Sequence, residues 1–167
     1  QTDLIDPEAG DPTDIARPLT GDDPAGIFDA VADYLTGKGW TVERESIPGG
    51  AHGYTDPEGR RVVLDSDLSP AQAAKTGLHE AAHVILHADE DHAEYVEHRG
   101  TKETEAESVA YVVAGILGLD TSAYSVGYVA GWSNCDAETI KATAANVLRA
   151  AHALADALTE QPEAVAA

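Results

Sequence analysis

Apolar positions recur along this chain in two rhythms, and the changes between them mark out its elements. From Pro24 onward, Ile27, Val31, Tyr34 and Leu35 fall at helical spacing until Gly37 and Gly39 end the run. Residues 40–47 are rich in β-forming types. A second short stretch follows at 51–54, then the turn Thr55-Asp56-Pro57-Glu58-Gly59 and the alternating run Arg61-Val62-Val63-Leu64. These segments predict a small antiparallel sheet. Ser69 and Pro70 supply an N-cap and a first-turn proline for a helix continuing to about His87. A polar connection over 88–100 leads to a helix over 101–117, whose Val109, Val112, Val113, Ile116 and Leu117 suit burial and which Gly118 stops. After the aromatic, glycine-containing segment 120–132, an alanine-rich helix runs to about Thr159 with Ile140, Val147, Leu148, Ala151, Leu154 and Leu158 as its stripe.

The two ends lack this periodicity. Residues 1–23, rich in Asp, Pro, Gly and Thr, read as a flexible linker, and 161–167 as a disordered tail, which leaves one domain over 24–160. The expected class is α+β, a small antiparallel sheet packed on a bundle of about four helices.

Composition narrows the function more than the fold. At 167 residues, 43% hydrophobic and 24% charged, the chain suits one soluble domain, and a single Phe with no Met implies a core of alanine, valine and leucine. Thirty acidic against ten basic residues, a formal charge of −20, repel a phosphate backbone, so nucleic acid is not an expected direct partner. The one cysteine, Cys135, has no internal partner for a disulfide. No run of about 18 apolar residues is present to span a bilayer. A cytoplasmic protein without a membrane partner is therefore expected. The chain does not start with Met, which is read as the mark of a fragment or a processed product.

The chemistry concentrates in Thr76-Gly77-Leu78-His79-Glu80-Ala81-Ala82-His83-Val84-Ile85-Leu86-His87. Positions i and i+4 of a helix share a face with Cβ atoms about 5–6 Å apart, so His79 and His83 can converge on one Zn²⁺. Glu80 points sideways, where its carboxylate can act as general base toward a water that the metal makes acidic. The apolar neighbours imply a largely buried helix, in which two unliganded histidines beside a glutamate would be costly. A third ligand is expected from the next helix. Glu103 and Glu107 share a face there, with Glu103 read as the ligand and Glu107 as the carboxylate that accepts a ligand histidine's other ring N–H; the reverse assignment stays open. Glu105, rotated by about 200°, reads as a dipole-compensating residue on a solvated face. His87 lies about 12 Å along the helix from His79 and reads as a supporting or surface residue, not a ligand.

Other candidates lie outside these two helices. Tyr124 and Tyr128 can offer a phenol to a tetrahedral oxyanion, with Tyr124 taken as the catalytic one, although packing with Trp132 is a competing role. His92 and His98 fall in a charged loop and read as rim residues. His52 and Tyr54 belong to the hairpin ahead of the motif, whose edge can hold an extended substrate by strand addition.

The strings KTGLHEAAHVILH and KETEAESVAYVVAGILGLDTSAYSVGYVAGW, with LTGDDPAGIFDAVADYL and GGAHGYTD upstream, resemble the zincin-like metallopeptidase domain of ArdC-type antirestriction proteins, within the ImmA/IrrE-like metallopeptidase group. The resemblance covers residues 18–158. It implies a zincin-like, gluzincin fold, a Zn²⁺ cofactor held by His79, His83 and Glu103, and a protein or peptide substrate such as a partner repressor or host defence protein. In such proteins a DNA-binding domain comes first, so single-stranded DNA enters as a partner only through an N-terminal domain that this chain does not contain, and the chain is expected to be a C-terminal half. Glu107 stands where many relatives carry Asp or Asn. Two function classes follow: a zinc-dependent metallo-endopeptidase, and a non-catalytic, zinc-stabilised binding module that positions a DNA-binding or host protein partner. A nuclease using the same metal is disfavoured by the acidic surface.

Overall fold

A computed structural model describes residues 19–88, 93, 99–119 and 136–160. The first helix, α1 (Ile27–Gly37), turns Ile27, Val31 and Leu35 inward, three residues at a four-residue interval. The Asp23 carboxylate caps it, accepting from the backbone N–H groups of Ile27 at 2.9 Å and Phe28 at 2.8 Å. Gly39, at φ 86°, turns the chain into β1 (Thr41–Glu45).

A 3₁₀ turn (Pro48–Gly50) leads to β2 (Gly53–Asp56), and a tight turn leads to β3 (Arg61–Asp65). The sheet order is β1-β3-β2. β2 and β3 are antiparallel, but β1 runs parallel to β3, with Thr41 opposite Arg61 and Glu45 opposite Asp65. The sheet is thus mixed, correcting the antiparallel expectation. Polarity explains the order: Val62, Val63 and Leu64 are all fully buried, so β3 takes the centre, while the charged Thr-Val-Glu-Arg-Glu of β1 and the polar β2 take the edges. β1 and β2 therefore lie on opposite sides of β3. Residues 46–52 must cross about 10 Å, two strand spacings, over the end of β3, and the left-handed Gly49 and Gly50 make that turn.

Helix α2 (Pro70–His87) starts as its sequence requires. Ser69 Oγ accepts from the Gln72 N–H at 3.1 Å, and Pro70 fills the first turn. The same hydroxyl donates to the Leu19 carbonyl at 2.6 Å, while the Gln72 side-chain oxygen accepts from the Leu19 N–H at 2.7 Å, so residue 19 is tied to the helix start. Most of α2 is buried. Ala71, Ala73, Ala74, Ala81 and Ala82 carry no bulk, which lets α1, the sheet and the next helix close around it.

Helix α3 (Arg99–Ile116) lies between α2 and α4 (Ala137–Thr159). Gly118, at φ 84°, ends it: the Leu119 N–H reaches back to the Ala114 carbonyl at 2.9 Å. Val109 and Val113 are buried as expected, but Ile116 is exposed. Asp136 caps α4, accepting from the Thr139 N–H at 2.7 Å. The row Val147, Ala151, Leu154 and Leu158 faces the core. Leu148, about 100° round the helix from Val147, stands out in solvent, and Ile140 in the first turn is also exposed. The described residues thus form an α+β fold of three strands and four helices. None of these helices is long and apolar enough to cross a membrane. Residues 1–18 and 161–167, read above as linker and tail, lie outside the described residues.

Candidate metal centre

Four chemistry-bearing side chains, Lys75, His79, His83 and His87, occupy every fourth position of α2 and so form one row along it. His83, His87 and Lys75 are buried, as is Glu80. The facing helix, α3, contributes Glu103, Glu105 and Glu107.

Three of these side chains meet. His79 Nε2 lies 3.1 Å from Glu103 Oε2, His83 Nε2 lies 3.2 Å from Glu103 Oε1, and the two Nε2 atoms are 3.1 Å apart. The imidazoles stand edge to face, 4.8 Å between centroids. One ligand atom from each residue lies within 4.8 Å of the others, so His79, His83 and Glu103 form a group that could hold a metal ion. Two imidazoles and a carboxylate make up the donor set of hydrolytic zinc sites, in which a fourth position is kept for solvent or substrate.

Glu107 stands behind this group. Its Oε2 lies 2.8 Å from His79 Nδ1, and its Oε1 lies 3.6 Å from the buried Lys75 ammonium. The carboxylate is thus placed to hold the His79 ring with Nε2 toward the shared point, and Lys75 balances its charge. Glu80 is not among the converging donors. Its Oε2 accepts a 2.6 Å hydrogen bond from Thr55 Oγ1 of β2. β2 approaches α2 closely because residue 53 is glycine: a Cβ there would sit 2.9 Å from both Thr76 Cγ2 and the Val63 carbonyl oxygen.

Electrostatics couple the cluster. Burial disfavours a charged His79, yet hydrogen bonds to Glu103 and Glu107 and the field of Glu80 outweigh it and raise its pKa from 6.5 to about 10. Burial pushes Glu103 upward, but the hydrogen bonds and charges of His79 and His83 win and hold it well below the ordinary 4.5. Glu107 is lowered in the same way against its burial, by His79 first and then Lys75. A raised histidine stabilises the fold fully below 6.5 and loses that contribution as pH climbs through about 10. Lowered carboxylates contribute above 4.5 and lose their share as pH falls below it. Chelator-treated protein should therefore lose stability progressively between pH 6.5 and 10, visible as a falling urea midpoint, and added zinc, which needs a neutral His79, should flatten that decline. A midpoint unchanged over that range without metal would contradict the coupling.

The remaining candidates separate. Glu105, expected on a solvated face, is buried, and its Oε2 lies 3.5 Å from His87 Nε2. The expectation failed because Glu105 packs beside His87 at the end of α2 instead of reaching solvent. His87 is buried with Nδ1 3.0 Å from His83 Nδ1. Tyr54 is partly exposed, and its hydroxyl accepts from Arg61 Nη2 at 2.8 Å. His52 gives its carbonyl to the Asp65 N–H. Tyr124, Tyr128, Trp132, His92 and His98 lie outside the described residues. Sequence reasoning missed Thr55 and Lys75. The strand alternation that puts residues 53 and 55 on one face, and the four-residue step back from His79, were the available signals.

A buried HExxH helix facing a glutamate-bearing helix, beside a small sheet, defines a metallopeptidase-type domain. Residues 39–125 match the model of the IrrE N-terminal-like domain, the M78 peptidase family; this is more than half of the chain, and the chain belongs to that family. The match takes in the whole sheet, α2 and α3. An uncharacterized protein of Bacillus anthracis is 34% identical over 73 residues, which are 44% of this chain and 12% of that protein, so the chain corresponds to a small part of this longer relative. No solved structure matches the chain at a significant level.

Proposed function

We propose that this chain is a zinc-dependent metallo-endopeptidase domain of gluzincin type. The observation that carries the reading is the convergence of His79, His83 and Glu103 beside a buried Glu80 that is not one of the converging donors. His79, His83 and Glu103 would hold the zinc, with Glu107 fixing His79 from behind. When bound, the ion would polarise a peptide carbonyl and lower the pKa of a water toward about 7.

The chain's own groups supply the rest. Thr55 holds Glu80 Oε2, so Oε1 is the oxygen that takes the proton from water and returns it to the nitrogen of the leaving amine. β2 pairs only with β3 among the described residues, and its other edge is suited to an extended peptide by strand addition. Tyr124 remains our choice to donate a hydrogen bond to the developing oxyanion. The resemblance to ArdC-type antirestriction proteins supports a cytoplasmic setting within a longer protein, a repressor or host defence protein as substrate, and contact with single-stranded DNA only through another domain.

Purified chain should retain about one zinc per molecule and cleave members of a peptide library, with activity removed by chelation and restored by zinc. Cleavage that survives complete metal removal would refute the mechanism. One bound zinc without any cleavage would point to a non-catalytic binding module.

A further inference from the structure

Two of the buried polar residues near the centre, His87 and Glu105, offer no atom to the converging donor group. An imidazole and a carboxylate are costly to bury, so their place calls for an account. His87 Nδ1 lies 3.0 Å from His83 Nδ1, and His87 Nε2 lies 3.5 Å from Glu105 Oε2, within ion-pair range. The three side chains form a line leading away from the common point where His79, His83 and Glu103 meet.

We propose that His87, anchored by Glu105, is a positioning residue that fixes the tautomer and ring orientation of His83 for metal binding. The inference deepens the zinc reading above and rests on it.

Metal binding at His83 selects one arrangement of protons. Two ring nitrogens 3.0 Å apart share a single proton, so one donates and the other accepts. For His83 to bind a metal, its Nε2 must present a lone pair, which places the proton on Nδ1, donating to His87 Nδ1. The His87 proton then sits on Nε2, 3.5 Å from Glu105 Oε2, where the carboxylate favours it through its charge at a distance longer than a well-formed hydrogen bond. Each step follows from the one before.

The two ligand histidines therefore have chemically different supports. Behind His79 stands a carboxylate in direct contact, charge-balanced by Lys75. Behind His83 stands a neutral imidazole that carries the influence of Glu105 from one ring farther away. Glu80, Glu103 and Glu107 already bring three carboxylates to the site, and a fourth in direct contact would add repulsion. An imidazole orients the ligand without adding charge.

The test uses the full chain with His87→Leu, His87→Gln and Glu105→Gln, and zinc affinity measured by competition with a chromogenic chelator. His87→Leu should weaken zinc binding about 10–100-fold, the usual effect of losing an outer-shell partner of a ligand. His87→Gln should recover most of that loss, because its carbonyl can accept from His83 Nδ1 and its amide can donate toward Glu105. Glu105→Gln should show a smaller loss than His87→Leu. In the zinc-loaded native chain, long-range ¹H–¹⁵N spectra should show His83 protonated at Nδ1 and His87 at Nε2. Wild-type zinc affinity in a folded His87→Leu variant, or a glutamine variant no better than leucine, overturns the proposal. If His87→Leu fails to fold, the native spectra decide, since His87 protonated at Nδ1 excludes this arrangement. A native chain that binds no zinc overturns the underlying reading as well, whereas zinc binding indifferent to residue 87 overturns this inference alone.

Discussion

Replacing Glu80 by glutamine should lower peptide turnover about 10²–10⁴-fold while zinc uptake stays at one equivalent. The substitution keeps shape and volume, and the side-chain carbonyl of glutamine can still accept from Thr55 Oγ1, so packing between β2 and α2 is retained. What disappears is the ability to take a proton. Glu80 lies outside the group of converging donors, which is why metal content should be unaffected. Steady-state kinetics beside metal analysis separate the two quantities. Turnover within a few-fold of the parent would remove Glu80 from the mechanism, and loss of zinc would make it a ligand instead.

The second large effect is expected at Glu103. Its two oxygens face both histidine Nε2 atoms, so Glu103→Ala removes one of three donors and exposes the remaining two to water. Zinc affinity should fall by more than the roughly 100-fold upper range for an outer-shell change, and Glu107→Ala should fall within that range. Stability reports the same ranking. At a zinc concentration 100 times the native Kd, binding stabilises the fold by about 2.7 kcal/mol, and a variant weakened 100-fold keeps only about 0.4 kcal/mol. If Glu107→Ala loses more zinc-dependent stability than Glu103→Ala, the two carboxylates exchange roles.

The sequence was most legible where local chemistry decides structure. Ser69-Pro70 and Gly118 mark helix ends because capping and a left-handed residue act within a few positions. Four-residue spacing likewise implies that His79 and His83 share a face before any tertiary contact is known. Strand order was not legible in this way. Expecting an antiparallel sheet overlooked that the most apolar strand, β3, belongs in the middle, which forces β1 and β2 apart. Glu105 was misread because a helical wheel gives the direction of a side chain but not what lies there, and His87 at the end of α2 takes that place. Thr55 was missed because it was read as the first residue of a turn rather than as part of a strand, and its partner Glu80 is 25 residues away.

The row Lys75, His79, His83 and His87 makes α2 a ruler whose gradations are helical turns. Inserting or deleting one residue between positions 75 and 87 would rotate everything downstream by about 100°. Conservative exchanges at the alanines between them leave the register untouched. This segment should therefore accept hardly any change of length: one residue more or fewer would part the histidines on either side of it.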